Sequence, residues 1–439
     1  MKTRLMNLGA LMVLAAFTGF GADRGIRIEG LVNCPVISHH GGKVYLQIAI
    51  TAPVPEARHR EPMNLAVVLD RSGSMADEGK IEFAKKAVSA LIDQLREDDL
   101  FSFVIYDDAI TVLREARRVG NKNDLRRLLE EVTPRGATNL GGGLFEGLRQ
   151  VERHRDKEYR NRVILLSDGL ANRGTTDPNE LRRIAQRYRA RSISITTIGV
   201  GLQFNENLML GLSESGGGNY YFIESPRTLA SIFQKELDGL SCVVAQNASV
   251  ELTLADGVRI HDVIGCEHQR ESGRVVIPVG DLYAGERREL TVELTVPPGT
   301  GRLRLAKGVL HYDGNLGWFE SWPSFSASIR YTKDFAEIDK SRDIETQAKV
   351  DVALSTRNVE QALRALDEGR QGDAVKEIRA ARAALQSSMA SFPSGAGSSI
   401  LVEQESRLQD FDALLKDSTD AKKVKKSIQY ENYRVQKRK

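Results

Sequence analysis

Between Met63 and about Leu240, short and almost uninterrupted apolar runs alternate with segments of helical period. The runs are Leu65–Leu69, Phe101–Tyr106, Val163–Leu166, Ile193–Val200 and Tyr220–Ile223. The helical pattern covers Lys80–Leu95, Lys122–Val132, Gly143–His154, Pro178–Ala190 and Pro226–Leu237. A strand that is apolar on both faces has to be covered on both faces, and the intervening helices are the covers. The pattern therefore predicts an α/β domain, with a doubly wound, mostly parallel sheet between two helical layers.

The flanks read differently. Ile26 and Ile28, then Val44, Leu46, Ile48 and Ile50, alternate as strands do, and Pro53, Pro55 and the charged run Glu56–Glu61 end that segment. Residues 243–332 show no helical period. Alternating runs such as Ser249–Leu254, Arg274–Val279 and Glu289–Val296 are split by Asp256-Gly257, Ser272-Gly273, Pro297-Pro298-Gly299 and Asp313-Gly314, which predicts an antiparallel β-sandwich. The N-terminal strands are too few for a domain and are expected to complete this sandwich, with the α/β domain inserted between them. From Asp334 the helical period returns, broken at Gly369–Asp373 and at the linker Ser391–Ser399. The expected division is a signal peptide at 1–22, N-terminal strands at 23–60, the α/β domain at 61–240, the sandwich at 241–333 and a helical C-terminal region at 334–439.

Lys2 and Arg4 precede an apolar run from Leu5 to Phe20, and the small residues Gly19, Gly21 and Ala22 then precede Asp23-Arg24. That order predicts an export signal cleaved near Gly21 or Ala22, and so a periplasmic, cell-surface or secreted protein. The run is shorter than a membrane span needs, and no later stretch is long enough for one. Export permits disulfides, and Cys34, Cys242 and Cys266 allow at most one internal bridge without fixing the pair. A net charge of +3 on 439 residues gives no case for nucleic-acid binding. Residues 420–439 hold eight Lys or Arg against Asp420 and Glu431, which fits either a weak contact with an anionic surface or simply a solvated helix face with a frayed end.

The chemistry concentrates at strand ends. The strand Leu65–Leu69 runs into Asp70-Arg71-Ser72-Gly73-Ser74, Gly136-Ala137-Thr138-Asn139 precedes the helix at 143, and Val163–Leu166 runs into Ser167-Asp168-Gly169. In an open α/β sheet these loops share the edge at which ligands bind. Asp70, Ser72, Ser74, Thr138 and Asp168 are hard oxygen donors without a histidine or cysteine among them, a set that selects Mg²⁺, Mn²⁺ or Ca²⁺ over Zn²⁺.

In residue types, order and strand context these five positions resemble the metal-ion-dependent adhesion site of the von Willebrand factor type A (VWA) domain, and the likeness covers about residues 60–240. The resemblance implies a Rossmann-like fold. It implies direct metal ligation by Ser72, Ser74 and Thr138, with Asp70 and Asp168 acting mostly through water. It also implies a protein partner that presents an Asp or Glu to the metal, and the flanking sandwich is similar to that of exported bacterial VWA proteins. The expected function is a non-enzymatic, metal-dependent adhesion or scaffold module. Alternatives are a scaffold of a cell-envelope assembly whose metal serves only stability, or a metal-dependent hydrolase.

Other signals are weaker. Gly79-Lys80 opens a helix as a phosphate loop does, but Ser74 and Ile81 stand where that motif needs Gly and Ser or Thr. Gly141-Gly142-Gly143 and Gly199-Val200-Gly201 read as turns, Asp107-Asp108 as a strand-end turn, and His261, Cys266 and His268 lack the spacing of a zinc site. None of the seven histidines lies in a loop of the acidic edge, so a serine nucleophile there has no base.

Overall fold

The structure, a computed structural model, describes residues 25–54, 60–156, 158–271, 273–314, 322–392, 398–417 and 420–437. The expected signal peptide at 1–22 lies outside the described residues. Three strands lead: β1 (Arg27–Val32), β2 (Val36–Ser38) and β3 (Gly42–Thr51). The α/β domain follows as β4 (Met63–Asp70), α1 (Lys80–Gln94), β5 (Leu100–Tyr106), β6 (Ile110–Arg118), α2 (Lys122–Glu130), α3 (Leu140–Glu152), β7 (Arg160–Ser167), α4 (Pro178–Arg189), β8 (Ile193–Val200), α5 (Glu206–Gly216), β9 (Gly217–Ile223) and α6 (Leu229–Ser241).

Its six strands lie in the order β6-β5-β4-β7-β8-β9, all parallel except the β5–β6 pair at one edge. Alternate residues of β4 feed two cores. Leu65, Val67 and Leu69 pack with Val88, Leu91, Leu125 and Phe233 of α1, α2 and α6. Ala66 and Val68 pack with Leu144, Leu148, Leu181 and Leu212 of α3, α4 and α5. The chain leaves β4 for β5 on one side and later returns through β7 on the other. The C-terminal ends of β4 and β7 therefore flank the topological switch point, where two connections diverge and leave a crevice.

Strand β6 and helix α5 were not among the sequence expectations. Strand β6 is an edge strand whose half carrying Arg114, Glu115, Arg117 and Arg118 breaks the apolar run, and α5 holds Gly211 and a serine-rich end. Gly141–Gly143 are a correction: they form the first turn of α3 rather than a loop. The Asn139 side chain caps that turn by accepting from Gly142 N at 3.0 Å, and a Cβ on Gly143 would fall 2.6 Å from the Tyr106 ring.

Seven strands follow: β10 (Val243–Leu254), β11 (Arg259–Ile264), β12 (Gln269–Glu271), β13 (Arg274–Tyr283), β14 (Arg287–Val296), β15 (Arg302–Asp313) and β16 (Ser324–Thr332). They form two sheets with the N-terminal strands, β1-β3-β14-β11 and β12-β13-β10-β15-β16-β2. Strand β3 pairs with β14 along its whole length, Gly42 with Val296 through Thr51 with Arg287, so the α/β domain is interposed in sequence between two hydrogen-bonded neighbours. One core takes Leu46, Ile48 and Val292 from the first sheet and Val250, Ile277 and Leu310 from the second. Pairing is antiparallel except between β16 and β2, which run parallel, a departure from the all-antiparallel expectation.

The C-terminal helices are α7 (Phe335–Ser341), α8 (Ile344–Asp367), α9 (Gln371–Ser391), α10 (Ser398–Asp417) and α11 (Ala421–Lys437), and the last four share a core. Helix α11 also reaches the α/β domain, with Tyr430 and Tyr433 edge-on to Tyr220 at ring separations of 5.9 and 5.8 Å. The expected solvated basic face is corrected here. Lys425 and Lys426 are buried and pair with Glu206 at the start of α5, Lys425 also meets Asp367, and Lys423 and Arg434 pair with Glu224 and Glu431. Four of the eight basic residues are thus matched by the chain's own acids. All three cysteines are free thiols.

Candidate functional site

Three loops meet at the switch point because their backbones are bonded to one another. Arg71 N donates to Tyr106 O at 2.9 Å, Arg135 N to Arg71 O at 2.8 Å and Gly73 N to Gly136 O at 3.1 Å. Asp107 braces the same loops: its carboxylate pairs with Arg71 Nε and Arg135 Nε, each at 2.8 Å, and accepts from Ala109 N at 2.7 Å. Burial opposes its ionisation, but the Arg135 and Ala109 hydrogen bonds and the Arg71 charge hold its carboxyl below the usual carboxylate range.

Asp70 ends β4 fully buried. Its Oδ1 accepts from Ser72 N at 2.8 Å, which fixes the tight turn, and its Oδ2 accepts from Ser167 Oγ at 2.7 Å. Burial pushes its pKa up to about 6, against the pull of those hydrogen bonds. Ser74 Oγ donates to Asp168 Oδ1 at 2.8 Å and lies 3.2 Å from Ser72 Oγ. Asp168, also fully buried, receives Lys80 Nζ on Oδ2 at 2.8 Å. Thr138 is fixed through its backbone: its N–H donates to Asn172 Oδ1 at 2.9 Å and its carbonyl accepts from Asn172 N at 3.1 Å. Its hydroxyl has no hydrogen-bond partner among the described residues.

The five residues singled out in sequence are therefore together at one rim, and Gly169 marks where they converge. A Cβ there would lie 3.2 Å from Thr138 Oγ1, 3.6 Å from Ser74 Oγ and 3.9 Å from Ser72 Oγ. Three hydroxyl oxygens from two loops surround one small space that a side chain would fill. Ser74 gives its proton to a carboxylate, which leaves its lone pairs for another group. Neutral hydroxyls backed by two buried carboxylates fit a hard divalent cation. Among the described residues there is no cluster of three or more His, Cys, Asp or Glu placed to hold a metal, His261, Cys266 and His268 included. The rim differs from such clusters in taking most of its donors from Ser and Thr.

Four participants had no role assigned to them from sequence: Lys80, Ser167, Gly169 and Asn172. One signal was present for Lys80. A lysine as the first residue of a helix stands against the positive end of the helix dipole, an arrangement that calls for a nearby anion. Ser167 and Asn172 act through tertiary contacts with no local pattern.

The fold defines the class, and comparison with known proteins agrees with it. Residues 64–235 match the family model of the von Willebrand factor type A domain, so the chain carries a VWA domain. It is 27% identical over 260 residues to the uncharacterised protein sll0103 of Synechocystis, covering 57% of this chain and 61% of that one. It is 24% identical over 260 residues to the uncharacterised protein YfbK of Escherichia coli, covering 58% of this chain and 45% of that one. The matches thus span about half the length of these curated relatives. In structure it is similar to the von Willebrand factor type A protein from Catenulispora acidiphila, with a TM-score of 0.72 at 16% identity over 94% of this chain and 96% of that one, a likeness of fold.

Proposed function

We propose that this chain is an exported, non-enzymatic protein-binding module whose VWA rim holds a divalent cation, Mg²⁺ or else Mn²⁺ or Ca²⁺, and uses it to bind an acidic residue of a partner protein. VWA domains mediate protein–protein interactions, which supplies the general class of activity. The observation that carries the metal is the convergence of the Ser72, Ser74 and Thr138 hydroxyls beside Gly169, with Asp70 and Asp168 behind them. Those hydroxyls would hold the ion directly and the two carboxylates would act largely through water. The ion, when bound, supplies a Lewis-acidic position for a carboxylate. The protein's part is to fix the hydroxyls in place and to keep both carboxylates buried. Export is supported by the sequence order of residues 1–24. No helix among the described residues is long and apolar enough to cross a membrane.

The test is affinity capture from envelope extract with the mature chain, in Mg²⁺ and in EDTA, with Asp70→Ala as control. A partner held in Mg²⁺ and lost under both other conditions is the expected result. Identical partners throughout would move binding away from the rim. Thr138→Ala separates adhesion from a purely structural metal. Adhesion predicts lost capture with little change in melting temperature. A structural metal predicts a lower melting temperature in Mg²⁺.

A further inference from the structure

Lys80 is the rim side chain that the metal reading leaves unused. It opens α1 directly after Gly79, whose φ of +67° turns the chain into the helix. Its residue is 5% exposed, and Nζ lies 2.8 Å from Asp168 Oδ2 and 3.5 Å from Ser74 O. On the far side, a Cβ on Gly201 would lie 3.4 Å from Lys80 Cε and 3.6 Å from Nζ, so the loop after β8 walls the ammonium in. Asp168 is its sole carboxylate partner among the described residues. A buried ammonium at a helix N-terminus is in an unfavourable field, and it is retained here by one carboxylate that itself holds the hydroxyl of Ser74.

We propose that Lys80 is a fixed counter-cation that sets the rim's affinity for its metal. The inference rests on the metal reading above. With Lys80 paired to Asp168, one of the two rim carboxylates is already neutralised by the protein. The negative charge available to a divalent ion is then essentially that of Asp70, and an incoming carboxylate supplies the remainder. The rim is accordingly a weak cation site alone and a stronger one with an acidic ligand, so that metal and ligand bind with positive coupling. Without Lys80 the protein itself would satisfy the ion, and the dependence on a ligand carboxylate would shrink.

The test is calorimetric titration of Mn²⁺ into the metal-stripped full chain, for wild type, Lys80→Met, Lys80→Gln and Lys80→Arg, each with and without acetate as the carboxylate probe. The expected result is Mn²⁺ binding about tenfold tighter in the Met and Gln variants, corresponding to roughly 1.4 kcal/mol. Lys80→Arg should stay near wild type, and acetate should tighten Mn²⁺ binding more in wild type than in the Met or Gln variants. Lys80→Gln retains a donor for Asp168 Oδ2, so a folding defect confined to Lys80→Met leaves the comparison intact. Equal or weaker Mn²⁺ binding in the folded charge-removing variants would overturn the role of Lys80 while leaving the metal site standing. Failure of every protein, wild type included, to bind Mn²⁺ at millimolar concentration would overturn the metal reading and this inference with it.

Discussion

Strand β7 has a buried polar network at each end, and the two are built to opposite plans. At its N-terminal end Arg162 is fully buried between Glu236 of α6 and Asp281 of β13, with Nη1 3.2 Å from Glu236 Oε1 and Nη2 2.7 Å from Asp281 Oδ2. Each Glu236 oxygen takes at least two donors: Oε1 from Arg162 and Thr196 Oγ1, Oε2 from Asn219 Nδ2 at 2.7 Å and Tyr221 OH at 2.9 Å. At the C-terminal end each oxygen of Asp70 and Asp168 takes one donor, and the Thr138 hydroxyl takes none among the described residues. In the lower network both Glu236 oxygens are filled by the protein, only Arg162 Nε being left without a hydrogen-bond partner among the described residues, and the network ties the α/β domain to the neighbouring sheet. The upper one keeps acceptor capacity in reserve. Buried polar groups are ordinarily satisfied, so unused capacity beside a small cradle is where a ligand is to be expected.

The largest test of this contrast is Arg162→Met. It strips the cation from two buried carboxylates and should cost about 3–5 kcal/mol of unfolding free energy in urea, with no dependence on Mg²⁺. A cost under about 1 kcal/mol would show that the lower network is not the closed, structural one.

The α11 contact is intermediate. Lys426 Nζ donates to Phe204 O at 2.7 Å and also meets Glu206, so Lys426→Met should cost about 1.5–3 kcal/mol by the same assay. Burial opposes ionisation of Glu206, but its bonds to Lys425 and Lys426 hold the carboxyl below its ordinary 4.5. The sign follows: the contact's contribution is complete above pH 4.5 and is lost as pH falls through the lower, folded-state value. Amide protection factors in α11, with the intrinsic pH dependence of exchange divided out, should fall below pH 4.5 and be flat from pH 5 to 8.

At the rim, metal-free Thr138→Ala should lie within about 1 kcal/mol of wild type, since its hydroxyl leaves no buried partner unpaired, and in Mg²⁺ its melting temperature should also stay close to wild type, because an ion held weakly by the rim alone adds little stability. Lys422→Ala, at an exposed position of α11, should change stability by less than about 0.5 kcal/mol.

What could be read in sequence follows the same division. The doubly wound sheet was legible because β4, β5, β7 and β8 are apolar on both faces and can exist only between two layers. Four of the five rim residues were legible because short local runs, Asp70–Ser74 and Ser167–Gly169, end such strands, and Thr138 because Gly136–Asn139 reads as a loop opening a helix. Residues whose role depends on what the fold brings to them were not. Arg162 interrupts nothing in the pattern, yet it is the buried cation between domains. Lys425 and Lys426 read as a solvated basic face because their partner Glu206 is more than two hundred residues away. Gly141–Gly143 read as a turn because the cap from Asn139 and the Tyr106 ring, which make glycine suitable in that helix, are tertiary facts.

The central claim is that the three hydroxyls beside Gly169 hold a divalent cation. Anomalous diffraction from crystals grown with Mn²⁺ tests it most directly. The account predicts a peak within roughly 2.0–2.4 Å of Ser72 Oγ, Ser74 Oγ and Thr138 Oγ1, with Asp70 and Asp168 farther away. A rim without a peak at saturating Mn²⁺, or a peak bound by the carboxylates alone, would contradict it.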